Sequence, residues 1–229
     1  MIKDISVKNE ISSSASKIKL AIVGAGDYGT QVLHWAEVCS TFEVVGFFDD
    51  YIPVNTLVKG KPILGTLADI FQCYTQHVFE QLFIAIGYKH ARFKHNLFMQ
   101  LCDKIPFATI IAKPTYIDNT AKIGKNVLIC PGCIIGEDCN IGDNVKLSPG
   151  VAISHNSQIG MGTYCSPSVN IAGFSRVGQC CFIGIGATII DGVTICDDVT
   201  IGAQSLVLKN IDVSGIYVGV PAKKIKQKV

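Results

Sequence analysis

No apolar run in the sequence approaches the roughly 18 uninterrupted residues of a membrane-spanning helix, although 48% of the 229 residues are hydrophobic. Charge is scarce as well, at 17% of residues with a net charge of +2. That balance leaves no electrostatic footprint for nucleic acid, and no basic motif interleaved with aromatics appears. The opening residues, "MIKDISVKNEISSSAS", lack the apolar core of a signal peptide and read as a loose polar leader over residues 1–16, with the cytoplasm as the default location. Ten cysteines without a secretory signal argue against a disulfide framework. Cys130 and Cys133 form one C-x-x-C, but no second pair follows and no histidine lies near in sequence, so no metal centre is expected. Histidine is itself sparse. Of five, only His155 lies beyond residue 95.

What is present divides into two halves with different periods. "IKLAIVGAGDYG" reads as an apolar strand from Ile18 to Val23 running into Gly24-x-Gly26-x-x-Gly29, and "TQVLHWAEVC" suits a helix. "FEVVGFFDD" reads as a second strand ending at Asp49 and Asp50. "LFIAIG" (82–87) reads as a third, buried strand, followed by an amphipathic helix in "HARFKHNLFMQLCDK". This alternation predicts a Rossmann-like α/β domain over residues 17–112, a small parallel sheet with helices on its faces. Glycines after a strand cradle a pyrophosphate at a helix N-terminus, and an acidic residue about 20 positions on binds a ribose. On the residues alone this favours a dinucleotide. His34, His77, His90 and His95 read as surface or structural residues.

The second half, residues 113–229, repeats every six positions. The register runs through Ile117, Ile123, Ile129, Ile135, Ile141, Leu147, Ile153, Ile159, Cys165, Ile171, Val177, Ile183, Ile189, Ile195, Ile201 and Val207. The next position is mostly small, as at Gly124, Gly136, Gly160, Ser166 and Gly184, and is where the chain is expected to bend sharply. A six-residue period fits neither an amphipathic helix nor an antiparallel meander. It predicts a parallel β-helix in which three hexads close one 18-residue coil. Cys133, Cys139 and Cys181 fall on small inward sites and Cys165 on an aliphatic one, so they read as core hydrophobes. The general rule for parallel connections predicts a right-handed coil. The terminal "PAKKIKQK" reads as a solvated basic tail or a contact for a phosphorylated ligand.

These features in this order are similar to the hexapeptide-repeat acyltransferases, within them the NeuD/PglD-like sugar N- and O-acetyltransferases with a Rossmann-like N-terminal domain. The carriers are "VGAGDYG", "FFDD", "LFIAIG", the unbroken hexads with one embedded "SH", and "GIYVGVPAKKI". The resemblance implies a left-handed β-helix, a homotrimer with active sites between subunits, and acetyl-CoA as cosubstrate. It also implies N-acetylation of a UDP- or dTDP-linked amino-deoxysugar for bacterial surface glycan, by direct transfer.

By that resemblance His155 is the general base, a task for which a neutral imidazole near pH 7 is suited. Asn156 follows it where relatives carry a carboxylate. Gly173, one coil further, would contact acetyl-CoA and offer its N–H to the oxyanion. Tyr164 stands where a second histidine is common. Tyr164, Gly173, Ile185 and Ala203, with Lys223 and Lys224 for phosphate, are the expected acetyl-CoA contacts. Gly24, Gly26, Asp27, Tyr28 and Gly29 would line the sugar and phosphates, Asp49 and Asp50 would hold the base or ribose, and Gly87 and Tyr88 would close the pocket. Three other readings stand beside this one: O-acetylation of a sialic-acid-like sugar, a non-catalytic sugar-nucleotide scaffold, and, from the first half alone, an NAD-dependent enzyme.

Overall fold

The structure, a computed structural model, describes residues 16–227. The leader read over residues 1–16 therefore lies, but for its last residue, outside the described residues. The first half opens with β1 (Ile18–Val23), α1 (Asp27–Val38) and β2 (Phe42–Phe48). It continues with β3 (Leu57–Val58), β4 (Lys61–Gly65), α2 (Ile70–Thr75), β5 (Gln81–Ile84) and α3 (Ala91–Leu101). The sheet order is β3-β4-β2-β1-β5, parallel except for the β3–β4 hairpin. β1 lies between β2 and β5 with helices on both faces, and its last four residues are buried. One face packs Leu20, Ile22, Phe47 and Phe83 against Val32, Leu33 and Ala36 of α1, and the other packs Phe48 and Ile84 against Ile70 and Phe98 of α2 and α3. The three expected strands and two expected helices are present. β3, β4 and α2 were not expected, being short and without a sustained period.

In the second half all sixteen hexad sites close a short strand, and from Ile117 to Ile189 each strand pairs in parallel with the one 18 residues on, as Ile135 with Ile153 and Ile153 with Ile171. Three sheets result, one per side of the coil. From Ile129 to Val207 every register residue is at most 3% exposed, and Cys133, Cys139, Cys165 and Cys181 lie in the same core. A strand at Ile110–Ile111 already pairs with Leu128–Ile129, so pairing begins one hexad before the register. The basic terminus is solvated, as read, and ordered: Lys223–Lys226 forms an exposed strand antiparallel to Gly215–Val218. Among the described residues no helix is long and apolar enough to cross a membrane.

The bend is not where the small residues suggested. Left-handed backbone recurs at the fourth hexad position, three residues past the aliphatic, at all fourteen sites from Asn126 to Gln204. Ten of these are Gly, Asn or Asp, the residues that tolerate positive φ best. The glycines directly after the aliphatic are small for a different reason. A Cβ on Gly136 would stand 2.9 Å from the His155 nitrogen one coil up, and one on Gly184 2.6 Å from that of Ala203. They keep the coils at strand spacing; they do not turn the chain.

The two halves share buried polar contacts. β5 is a sheet edge, and Asn126 of the β-helix covers it: its Oδ1 accepts the Ile84 N–H (2.7 Å) and its Nδ2 donates to the Ile84 carbonyl (3.2 Å). Lys94 of α3, 5% exposed, donates from Nζ to the Asn144 carbonyl at 2.8 Å. Burial, reinforced by the nearby Lys146, holds the Lys94 pKa down to about 7 from an ordinary 10.5. Between those two values the unfolded chain binds a proton that the native one does not, so this group adds stability as pH rises above about 7. Lys94→Met is expected to be the more stable form near pH 6. Its advantage in unfolding free energy over wild type, followed through Tm, should shrink between pH 7 and 9 with a limiting slope of about 1.4 kcal/mol per pH unit. A Tm difference constant with pH would show that Lys94 does not titrate in this window.

Candidate functional site

His155 sits on the bend between the strands Ala152–Ile153 and Gln158–Ile159, exposed and outside the packed core. The bend is made by Asn156 at φ 57°, and its amide oxygen lies 3.0 Å from His155 Nδ1. With the proton on Nδ1, the amide accepts it and leaves the Nε2 lone pair free to act as a base. Asn156 thus orients the ring as a carboxylate would, without adding charge. Gly173 lies directly over the imidazole: a Cβ there would be 2.7 Å from Cε1 and 2.9 Å from Nε2. Only glycine leaves the ring its room.

One expectation needs correction here. The Gly173 N–H does not face open space, because it donates to Asp191 Oδ1 at 2.9 Å. The same contact recurs from Lys125 to Asp143 and from Gln179 to Asp197, so it belongs to the scaffold. Ser157, a neighbour to be weighed as nucleophile, is buried and donates its hydroxyl to the Ala172 carbonyl at 3.0 Å. Phe174, which the sequence reading passed over, stands beside the histidine. Its ring meets the imidazole edge to face, with centroids 5.0 Å apart at 85°. It holds a left-handed φ of 56°, unusual for a bulky residue, and is 60% exposed.

On another side of the coil, Tyr164 stacks on Phe182 of the next coil, with centroids 5.5 Å apart, and Tyr88 packs against both at 5.5 and 4.3 Å. Lys146, one coil before Tyr164, holds its ammonium 4.8 Å from the Tyr164 ring and 4.4 Å from that of Tyr28. The Tyr28 hydroxyl is buried, and this raises its pKa well above the ordinary value. Tyr164, expected toward acetyl-CoA, is therefore brought together with Tyr28 and Tyr88, expected toward the sugar nucleotide. Ile185 and Ala203 occupy one corner of the coil, a full turn apart, while His155 and Gly173 occupy a different corner. Lys223 and Lys224 are exposed on the terminal strand.

At the C-terminal ends of β1 and β2 a cavity of about 310 Å³ is lined by Gly24, Asp49 and Asp50, with Ile86, His90 and Phe93 opposite. Gly24, at φ 91°, makes the turn off β1. Asp49 Oδ2 accepts the Ala25 N–H and Oδ1 that of Tyr51, both at 2.9 Å, and Asp50 accepts that of Leu67. The two carboxylates thereby brace the loops around the cavity. Gly26 and Asp27 are exposed at the start of α1, and Gly29 and Gly87 lie near the loop without lining the cavity. Tyr28 and Tyr88 instead face the β-helix, through Lys146 and Phe182. His90, read as a surface or structural residue, belongs to the cavity wall.

Residues 19–101 match the family described as the PglD N-terminal domain. Residues 114–147 and 174–209 match the bacterial transferase hexapeptide repeats, and 132–166 the hexapeptide repeat of succinyl-transferase. Among solved structures, PerB from Caulobacter crescentus, in complex with CoA and GDP-perosamine, is 27% identical. The match covers 93% of this chain and all of that one at a TM-score of 0.83. A His-to-Ala variant of the GDP-perosamine N-acetyltransferase from the same organism is 26% identical, covering 93% and 99% of the two chains at 0.84. The acetyltransferase domain of PglB from Neisseria gonorrhoeae, at 23% identity over 91% and 100% with a TM-score of 0.83, shares the fold. The β-helix is thus of the left-handed hexapeptide type and not the right-handed one that the general rule predicted. The chain thus matches, in order along its length, the PglD-type N-terminal domain and the hexapeptide repeats of bacterial transferases.

Proposed function

We propose that the protein transfers the acetyl group of acetyl-CoA to the amino group of a nucleotide-linked amino-deoxysugar, with His155 as general base. The observation that carries this reading is the His155 corner: an imidazole oriented through Nδ1 by Asn156, with Nε2 exposed beneath a residue kept to glycine. The amine attacks the thioester carbonyl, and His155 Nε2 takes the proton lost by nitrogen. Collapse of the tetrahedral intermediate expels the CoA thiolate, and that proton leaves with it as the free thiol. No covalent enzyme intermediate is needed, in keeping with Ser157 being tied into the coil.

In this reading residues 17–112 hold the nucleotide-sugar at Gly24, Asp49 and Asp50, and residues 113–229 hold acetyl-CoA and carry the transfer. The nucleotide is UDP or dTDP, and GDP joins the test panel because PerB was solved with GDP-perosamine. A homotrimer with shared sites explains why His155 and the Ile185–Ala203 pair lie on different corners of one chain: a neighbouring subunit completes each site. The enzyme works in the cytoplasm, where acetyl-CoA and nucleotide-sugars are made.

UDP-, dTDP- and GDP-linked amino sugars with acetyl-CoA, followed by thiol release, test the reaction. His155→Ala is expected to lower kcat at least about 100-fold, and unchanged turnover would remove His155 from the mechanism. Acetylation of hydroxy sugars alone would favour the O-acetyltransferase, and binding of sugar nucleotides without turnover the scaffold. Asn156→Asp keeps a residue that tolerates the left-handed bend and adds a charge beside the imidazolium. The acidic limb of its kcat/KM profile should therefore move to higher pH. A limb that stays in place would show that position 156 does not govern the base.

Phe174→Asn should raise stability and lower kcat together. Relief of the strained φ is worth on the order of 1 kcal/mol, a rise in Tm of about 2–4 °C for a chain of this length. Loss of the ring edge leaves His155 less well held. A variant that gains Tm at full kcat would show that the ring does not position the base.

A further inference from the structure

A second cavity, of about 710 Å³, opens between α1 and the β-helix, away from both His155 and the glycine loop. Its volume falls within the roughly 300–1,000 Å³ of small-molecule sites, far beyond what one trapped water needs. Gln31 of α1 and Lys146, Ser148 and Tyr164 of the β-helix line it. Lys146 is only 4% exposed, and its ammonium donates to Gln31 Oε1 at 2.9 Å. Beyond that amide it meets the faces of Tyr28 and Tyr164, with the Cys130 thiol, whose pKa burial raises to about 11, close by. Buried ammonium groups normally pair with a carboxylate. Among the described residues the two ion pairs are Lys61–Glu37 and Arg92–Asp198. Glu37 also lines the cavity, so its carboxylate is already engaged by Lys61.

Two further polar groups lack partners here. The Ser148 hydroxyl, in a residue 2% exposed on the cavity wall, makes no hydrogen bond, and neither does the buried Tyr28 hydroxyl. The second buried cation, Lys94, lies across the Tyr28 ring at 5.7 Å, so the cluster holds two lysines and no acid. A cationic donor, an idle hydroxyl and space for a ligand are the elements of an oxyanion site.

We propose that this cavity binds a phosphate or carboxylate group of a small molecule, held by the Lys146 ammonium and the Ser148 hydroxyl. The anion removes the cost of burying Lys146 and satisfies Ser148 in the same step. The proposal does not depend on acetyl transfer, because it is carried by groups that the reaction above does not use.

Calorimetric titration of the full chain with inorganic phosphate, with UDP and with CoA tests it without turnover. At least one probe should bind wild type, with a Kd about tenfold or more weaker for Lys146→Met. Lys146→Arg should retain binding, and Ser148→Ala should weaken it a few-fold. Lys146→Met should fold, since it exchanges a buried charge for an apolar chain of similar length; if it does not, Ser148→Ala decides. The probe whose affinity responds identifies the source of the anion: a free ion, the acceptor nucleotide or the acyl donor. If none binds wild type, or all three bind Lys146→Met and Ser148→Ala as tightly as wild type, the proposal is overturned.

Discussion

From Asn126 to Gln204 the coils of the β-helix repeat every 18 residues, and each bend turns through one left-handed residue. That repeat requires an inward aliphatic, a residue small enough for the coil above, and a bend residue that accepts positive φ. Stacking then fixes everything one coil apart at strand spacing. This places Gly173 directly over His155 and Asp191 over Gly173, so a functional corner arises from positions any hexad would supply. The scaffold also constrains what it holds. Aspartates that stack the coils already accept backbone N–H groups, so an oxyanion donor cannot be assumed at each bend.

The second constraint is the joint between the halves. β5 would leave an open sheet edge, and the backbone of residues 106–108 at Leu82 and a buried asparagine on a β-helix bend at Ile84 close it. Asn126 also donates from Nδ2 to Asn144 Oδ1 at 2.7 Å, so the same amide ties two coils to β5. The helices that follow β1 and β5 then cover an outward face of the β-helix, and residues that would be solvated on a bare coil become buried. Lys146 and Lys94 are the result, two ammoniums beside Tyr28 in a setting neither half creates alone.

This distinguishes what was legible in the sequence from what was not. Periodicity reports inward-facing residues, so the sixteen register sites, the core cysteines and the strand ending at Val23 were readable without coordinates. It is silent about outward-facing ones, whose burial depends on what packs over them. Lys146 occupies an outward strand position, indistinguishable in pattern from solvated Lys122 one face away. Tyr88 follows the third strand as a pocket-closing residue would, yet it packs on the β-helix. Phe174 was legible in principle. It breaks a column of Gly, Asn and Asp at the fourth hexad position, but that column had been sought two residues too early.

The same geometry bears on the two departures from the family pattern. Asn156 keeps the orienting hydrogen bond of a carboxylate and gives up its charge. Tyr164 gives up the charge of a second histidine, but the structure restores a cation there from the preceding coil, since the Lys146 ammonium lies 4.8 Å from the Tyr164 ring. Tyr28 shares that ammonium, at 4.4 Å, so the cation joins a residue of the glycine loop to a residue of the β-helix. Substitution at one of these three positions should therefore be felt at the other two. The cation at this corner therefore belongs to the joint between the halves and to neither half alone.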